Sequence, residues 1–283
     1  MVMGSQAQDT NLDIPAAQKL ADKGDAKAQY ELAIRYQKGE GIAQDHAKAV
    51  AMMRQAAEQG YAPAEGQLGY YYGTGLGVTQ DPMEALKWYR KSAEQGNAVA
   101  QFGMGYIYST GRGVPKDMDQ AVHWWRKAAE QNLAEAQYAL GQYYSHQPAT
   151  NAASRTNAIV WLHKAAGQGY ALAENDLGVA YEYGLGVPRD WTEADKWYRQ
   201  AAEKGLALAQ GNLGRAYFDG RGVTHDFVQA YAWFVLADEK GDANGKRFVL
   251  EYKANHLLDT KQMAEAEQLV ADFRKRHAGA PKP

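Results

Sequence analysis

Residues 61–96 read YAPAEGQLGYYYGTGLGVTQDPMEALKWYRKSAEQG, and most of the chain consists of copies of this stretch. Equivalent units begin at Asp25, Tyr61, Asn97, Leu133, Tyr170 and Leu206, at spacings of 36, 36, 36, 37 and 36 residues. An altered seventh unit begins at Asp242. A fixed period of this size marks a stack of supersecondary units, none of which can bury its apolar face alone. The stacking makes one continuous body of units that meet only their neighbours.

Within the stretch, two antiparallel helices are expected, helix A over about 62–73 and helix B over about 82–95. Helix A carries Ala64, Leu68, Gly69 and Tyr72 at helical spacing. Gly69 recurs as Gly105, Gly141, Gly178 and Gly214, with Ala33 in the first unit. A glycine inside a helix costs roughly 1 kcal/mol against alanine, so its recurrence at one site predicts close approach of the partner helix. Tyr72 recurs as Tyr36, Tyr108, Tyr144, Tyr181 and Tyr217. Gly75 and Gly77, repeated in four other units, suit the left-handed backbone of a helix C-cap and tight turn.

Asp45, Asp81, Asp117, Asp190 and Asp226 then stand where helix B needs an N-cap. Glu84, Gln120, Glu193 and Gln229 three residues later predict capping boxes; Lys48 is the exception. Helix B pairs an alanine with a large residue three places on: Met52, then Trp88, Trp124, Trp161, Trp197 and Trp233. These five tryptophans are expected to dominate the core. Small pairs such as Ala56–Ala57 and Ala128–Ala129 let helix B pack closely. Gly60, Gly96, Gly169, Gly205 and Gly241 end it, with Asn132 in that role once.

The flanks differ. Residues 1–12 are polar and expected to be loose, and Met1 to Gly4 look unrelated to the repeat. Residues 13–24 read as a capping helix over the first full unit. The fourth unit replaces the glycine turn by SHQPATNAA at 145–153, one residue longer, with Ser154 as the expected N-cap. Residues 242–277 read as C-terminal capping helices, with Lys253 where the tyrosine column would continue and Thr260 capping the last helix. Residues 278–283 read as a loose tail.

The composition narrows the function classes. With 31 basic and 33 acidic residues and a net charge of −2, there is no basic stripe for nucleic acid. No apolar run approaches the roughly 18 residues of a membrane span, so no membrane insertion is expected. Zero cysteines excludes disulfides and cysteine-ligated zinc, and is compatible with a periplasm, a secreted setting or a cytoplasm. The first ten residues lack the basic segment and apolar core of a signal peptide; an exported protein whose leader was removed is the expectation.

Several motifs suggest chemistry and read better as frame. GTGLGV at 73–78 resembles a phosphate-cradling loop, which would follow a strand; here it follows a helix and recurs in five units. The aspartates at 81, 117, 190 and 226 serve as caps and lie a repeat apart, too far for paired acid–base work. The seven histidines show no two-ligand helical spacing, and His123 and His163 are expected on helix-B surfaces. No cofactor or metal is expected, and no enzymatic constellation emerges.

The combination A-x-A-[QE]-x-x-L-G-x-x-Y, G-x-G-[VI], D-x-x-x-A, W-[YW] and A-A-E-[QK]-G resembles the Sel1-like repeat, a relative of the tetratricopeptide repeat. The resemblance covers residues 25–241, as units 25–60, 61–96, 97–132, 133–169, 170–205 and 206–241. It implies an all-α, right-handed α-solenoid and a non-enzymatic adaptor, of a bacterial envelope, secreted or host-interacting kind. Members that bind secretory IgA are similar in repeat style.

By analogy with tetratricopeptide repeats, helix A lines the concave face. The residues two before and two after its leucine then form the candidate partner-binding stripe: Tyr30 and Ile34, Gly66 and Tyr70, Phe102 and Tyr106, Tyr138 and Gln142, Asn175 and Val179, Gly211 and Arg215. This set varies between units, and its aromatic members offer contact area at low entropy cost. The alternative for any one ring is packing between neighbouring helices. A protein or peptide ligand is the expected partner. A periplasmic regulator of a signalling or envelope-assembly complex and a carbohydrate-binding groove are the alternatives.

Overall fold

In a computed structural model, residues 13–148 and 152–278 are described. The expected loose segments 1–12 and 279–283, and residues 149–151 of the atypical turn, lie outside them. Among the described residues there are fifteen α-helices and no strand. The chain divides after Gln137 into two compact units.

The first unit holds α1 (Ile14–Asp22), α2 (Ala26–Lys38), α3 (His46–Glu58), α4 (Ala62–Thr74), α5 (Pro82–Glu94), α6 (Ala98–Thr110) and α7 (Met118–Glu130), with the start of α8 (Ala134–Ser145). There α1 to α7 pack in chain order, and α4 also touches α6. The second unit continues α8 and adds α9 (Ala152–Gly167), α10 (Ala171–Tyr183), α11 (Trp191–Glu203), α12 (Ala207–Asp219), α13 (Phe227–Glu239), α14 (Ala243–Ala254) and α15 (Thr260–His277). There α9 to α14 pack in chain order, and α15 lies on α13. Contacts chiefly between sequence neighbours are the pattern of a solenoid.

The helix-A glycines do what their recurrence predicts. A Cβ on Gly69 would meet the Tyr89 ring at 2.9 Å, and one on Gly141 would meet Leu162 at 2.8 Å. Gly105, Gly178 and Gly214 leave equivalent room for Trp125, Tyr198 and Phe234. The residue in the notch is thus the one after each tryptophan. This corrects the expected core. Tyr89, Trp125, Leu162, Tyr198 and Phe234 are all buried; of the expected tryptophans Trp88 and Trp233 are buried too, whereas Trp124, Trp161 and Trp197 are only half-buried. The outer tryptophan faces carry lysines one turn on: Lys91 lies 4.4 Å above Trp88, Lys127 4.7 Å above Trp124 and Lys164 4.2 Å above Trp161. From the alanine, both i+3 and i+4 positions share its face; the notch selects i+4.

Gly105→Ala should therefore destabilise by about 1–3 kcal/mol through overpacking, despite alanine's higher helix propensity. Gly73→Ala is the contrast: a Cβ there meets only Ala85, at an ordinary 3.7 Å, so this change should be neutral or slightly stabilising. Urea midpoints of the two variants measure the difference.

The turns carry a second device. Gly75 (φ 78°) and Gly77 (φ 69°) adopt the left-handed backbone, as do their repeats. Each helix-B N-cap aspartate accepts the N3 amide, at 2.9 Å from Lys48 and 3.0 Å from Gln120, Glu193 and Gln229. The reciprocal halves of the expected capping boxes are not formed at these four aspartates with Glu or Gln at N3. The amide they would need is already taken: Asp81 N–H donates to the Tyr72 carbonyl at 2.9 Å, and Asp117 and Asp190 donate to Tyr108 and Tyr181 at the same distance. Glu84 and Glu193 instead pair with Lys87 and Lys196. Among the described residues a full box forms between Asp259 and Gln262 at α15, so Asp259, not Thr260, is that N-cap. Ser154 likewise lies inside α9 rather than capping it.

Burial of helix A brings polar groups inside. Gln29, Glu65, Gln101, Gln137, Glu174 and Gln210 are all buried. The Nε2 of Gln29, Gln101 and Gln210 donates, at 3.2 Å, to the carbonyls of Ala21, Ala93 and Ala202 on the preceding helix. Residues 30 positions on complete the ladder: Gln59 donates to Gln29 and Gln131 to Gln101 at 2.8 Å, and Lys204 pairs with Glu174. At the C-terminal end, Tyr252 rather than residue 253 enters the core, ringed by Phe218, Phe227, Tyr231 and Phe234.

Candidate functional site

The predicted stripe separates into two classes. Positions two before the leucine face the start of the next helix A. Tyr30 rests edge-on against Tyr61 at 5.6 Å, and Tyr138 lies 5.1 Å from Tyr170. A Cβ on Gly66 would meet Ser92 Oγ at 3.1 Å, and one on Gly211 would meet Asp242 at 3.3 Å. Asn175 is buried and accepts from Asn212 Nδ2 at 3.0 Å. Phe102, in the same register, is half-buried. Apart from Phe102, these positions serve chiefly as contacts between repeats.

Positions two after the leucine are more open. In the first unit, Ile34 and Tyr70 flank the core, while Tyr106 is 42% exposed with the Arg112 guanidinium 5.4 Å from its ring. In the second unit, Gln142 and Val179 are half-buried and line one pocket. Arg215 is instead engaged by both oxygens of buried Glu182, each at 3.1 Å.

That pocket, of about 310 Å³, lies between α8, α9 and α10 in the second unit. Its apolar lining is Ala158, Ile159, Leu162, Val179, Ala180 and Leu185; its polar lining is Gln142, Ser145, His146, Arg155 and Asp176. It borders the one place where the repeat's glycine turn is missing, since Ser145, His146 and Arg155 flank the longer 145–153 turn. The volume falls at the lower end for small-ligand or side-chain pockets.

Asp176 is the group that sequence inspection missed, because the position before the leucine holds Glu31, Gln67, Gly103, Ala139 and Asn212 elsewhere and shows no column. Gln142 Nε2 donates to its Oδ2, Asn175 Nδ2 donates to its Oδ1 at 3.3 Å, and the Tyr138 hydroxyl also faces it. The same Gln142 amide donates to Tyr138 Oη at 3.1 Å, which leaves that hydroxyl free to donate to the carboxylate. Burial nonetheless pushes the Asp176 carboxyl above the usual range, against the pull of these donors and of the His146 imidazole. Burial and the neighbouring Asp176 also push the Tyr138 phenol up.

Asp176 therefore holds its proton more tightly folded than unfolded. Its neutral form is favoured by folding at low pH, and the advantage is lost as pH rises from about 4 through the raised folded value. Asp176→Asn should thus raise stability at pH 7.5 by roughly 0.5–2 kcal/mol, once Gln142 turns its amide oxygen inward. The gain should vanish near pH 3.5; melting of both proteins at the two pH values tests this.

His163, expected on a surface, is half-buried between Tyr181 and Trp197, and burial pushes its imidazole pKa down. Among the described residues no helix is long and apolar enough to cross a membrane.

The Sel1 repeat family profile matches residues 26–61, 62–97, 98–133, 134–170, 171–206 and 207–242. A protective antigen of uropathogenic Escherichia coli strains, displaying an SLR fold, is similar in structure with a TM-score of 0.85 and 36% identity over 95% of this chain. The chain spans 59% of that antigen's length. A Sel1 repeat protein from Oxalobacter formigenes superposes over its whole length and 81% of this chain, with a TM-score of 0.71 and 29% identity. An immunity protein from Pseudomonas aeruginosa, at 22% identity over 77% of this chain and 82% of its own, shares the fold with a TM-score of 0.54. No curated protein matches the chain. Sel1 repeats generally build non-enzymatic scaffolds for protein–protein interaction. With six consecutive repeats matched, and the notch, turn and cap geometry repeated in the structure, the chain belongs to the Sel1 repeat family.

Proposed function

We propose that this protein captures a protein or peptide segment on its helix-A face, with the pocket between α8, α9 and α10 as an anchor point. The observation that carries this reading is the pocket itself. Its polar lining residues, Gln142, Arg155 and Asp176 among them, do not follow the repeat, and it lies beside the turn of the fourth unit that departs from it. Frame residues recur because every unit needs them; Gln142, Arg155 and Asp176 vary between units and have no such requirement, and the equivalent cleft between α10, α11 and α12 leaves only about 20 Å³. In the first unit, Tyr106 is the exposed aromatic of its own helix A.

An exported setting, periplasmic or secreted, is part of the proposal. The 36%-identical relative is a protective antigen, which favours a protein met outside the cytoplasm, and a cysteine-free chain folds without regard to redox conditions.

The test is capture from envelope and host extracts by the folded chain and by a Phe102→Ala, Tyr106→Ala, Gln142→Ala variant, read by mass spectrometry. A partner held by the parent and lost by the variant, with unchanged helicity, supports the helix-A face. Equal capture by both would overturn it. A glycan array run in parallel separates carbohydrate binding, which the packing of Tyr30 on Tyr61 and of Tyr138 on Tyr170 disfavours by covering the rings.

A further inference from the structure

We propose that the pocket between α8, α9 and α10 is a socket for a basic side chain with a carboxylate beside it. This rests on the scaffold reading and names the chemistry that its anchor takes. Two sources share that chemistry: the C-terminal lysine or arginine of a partner, and an internal basic residue followed by an acidic one.

The argument begins with two charges. Asp176 is fixed by Gln142, Asn175 and Tyr138, all neutral donors, and makes no ion pair among the described residues. Arg155 is half-buried and likewise makes no ion pair among the described residues. Both line the same cavity, yet their charged atoms do not come within the 4.0 Å of an ion pair. Elsewhere in the second unit, charges at comparable depth are matched: Glu174 with Lys204, Glu182 with Arg215, Asp195 with Arg199. Half-buried charges left without a counter-ion are costly, and a ligand carrying the opposite charges would relieve both at once.

The rest of the lining includes apolar side chains. Val179 and Leu185, over buried Ile159 and Leu162, present a surface suited to the methylene stem of lysine or arginine, whose charged head can then reach Asp176. The carboxylate needs no rearrangement, because its three donors hold it before any ligand arrives. His146, at the exposed edge, has its Nδ1 2.7 Å from the Gln142 carbonyl, which leaves Nε2 for the ligand's own groups. A purely anionic ligand would meet Asp176, and a purely cationic one would leave Arg155 unpaired. At about 310 Å³ the cavity takes one residue and not a folded element.

The experiment titrates the full chain, by calorimetry and by NMR, with N-acetyl-arginine, N-acetyl-argininamide and N-acetyl-leucine. N-acetyl-arginine is expected to bind, the amide several-fold more weakly, and the leucine compound not at all. Asp176→Asn should weaken N-acetyl-arginine by at least about 10-fold. Arg155→Gln should leave the acid and the amide binding equally. Melting of both variants confirms that they fold. Two tetrapeptides, one ending in arginine and one with an internal Arg-Asp pair and an amidated end, then distinguish the sources. Absence of binding by either arginine compound, binding unchanged in Asp176→Asn, or equal binding of N-acetyl-leucine would each overturn the socket. A partner still captured through Phe102 and Tyr106 would meanwhile leave the scaffold reading standing.

Discussion

Trp125→Ala is expected to cost about 3–5 kcal/mol, whereas Trp124→Ala should cost only about 1–2 kcal/mol. The two residues are identical and adjacent, and sequence offers no reason to separate them. Trp125 is buried and fills the notch that Gly105 leaves in α6. Trp124 is half-buried, with one face against Lys127. Truncating the first opens a cavity that the glycine side cannot refill, because Gly105 has no side chain to move inward. Truncating the second leaves a surface that water reaches. Trp125→Phe should recover most of the loss, since the buried Trp125 Nε1 has no partner among the described residues and its removal forfeits no hydrogen bond. Because repeat proteins can open locally, hydrogen exchange across α6 and α7 is the sharper measurement, alongside urea unfolding. Equal effects of the two alanine changes would remove the notch argument.

The second large effect concerns Glu182. Its carboxylate, buried in α10, accepts the Tyr198 hydroxyl at 2.6 Å and the Arg215 guanidinium on both oxygens. Burial, then the Glu182 carboxylate, pushes the Tyr198 phenol up, so it stays a donor across the working pH range. Glu182→Ala leaves the hydroxyl and a half-buried cation without their partner. The expected loss is roughly 2–4 kcal/mol, below the range for a fully buried pair because Arg215 keeps some access to water. Glu182→Leu combined with Arg215→Met should recover much of it, because the apolar pair leaves no charge to compensate. A double-mutant cycle on thermal or urea stability reads the coupling. Additive losses would show that the pair does not act as a unit.

Glu182 also shows how a residue can be misassigned from sequence. Arg215 stands in the register of Tyr70, Tyr106 and Gln142, and by register it belongs to the binding stripe. Its partner lies 33 residues back on the preceding helix A, a distance that one-dimensional periodicity does not report. The same holds for the tyrosine column. Its periodicity is plain, but its purpose is tertiary. The carbonyls receive the next helix's N-cap amide, while several hydroxyls meet a side chain 18 residues earlier: Arg90 for Tyr108, His163 for Tyr181, Arg199 for Tyr217.

By itself, the sequence determined the repeat, the helix pairs, the left-handed glycine turns, the aspartate caps and the need for close helix approach at Gly69 and its equivalents. Each of these is a local requirement met by one residue type at one spacing, so repetition makes it visible. Only the tertiary structure decided which of two adjacent aromatics fills the notch, why the capping boxes stay half-made, and which stripe residues pack between repeats. It alone brought Asp176 and Arg155 to one pocket. These depend on neighbours from nine to about 40 residues away along the chain, and on which acceptor reaches a shared amide first. Spacing in a single chain records that a position recurs, not what stands opposite it.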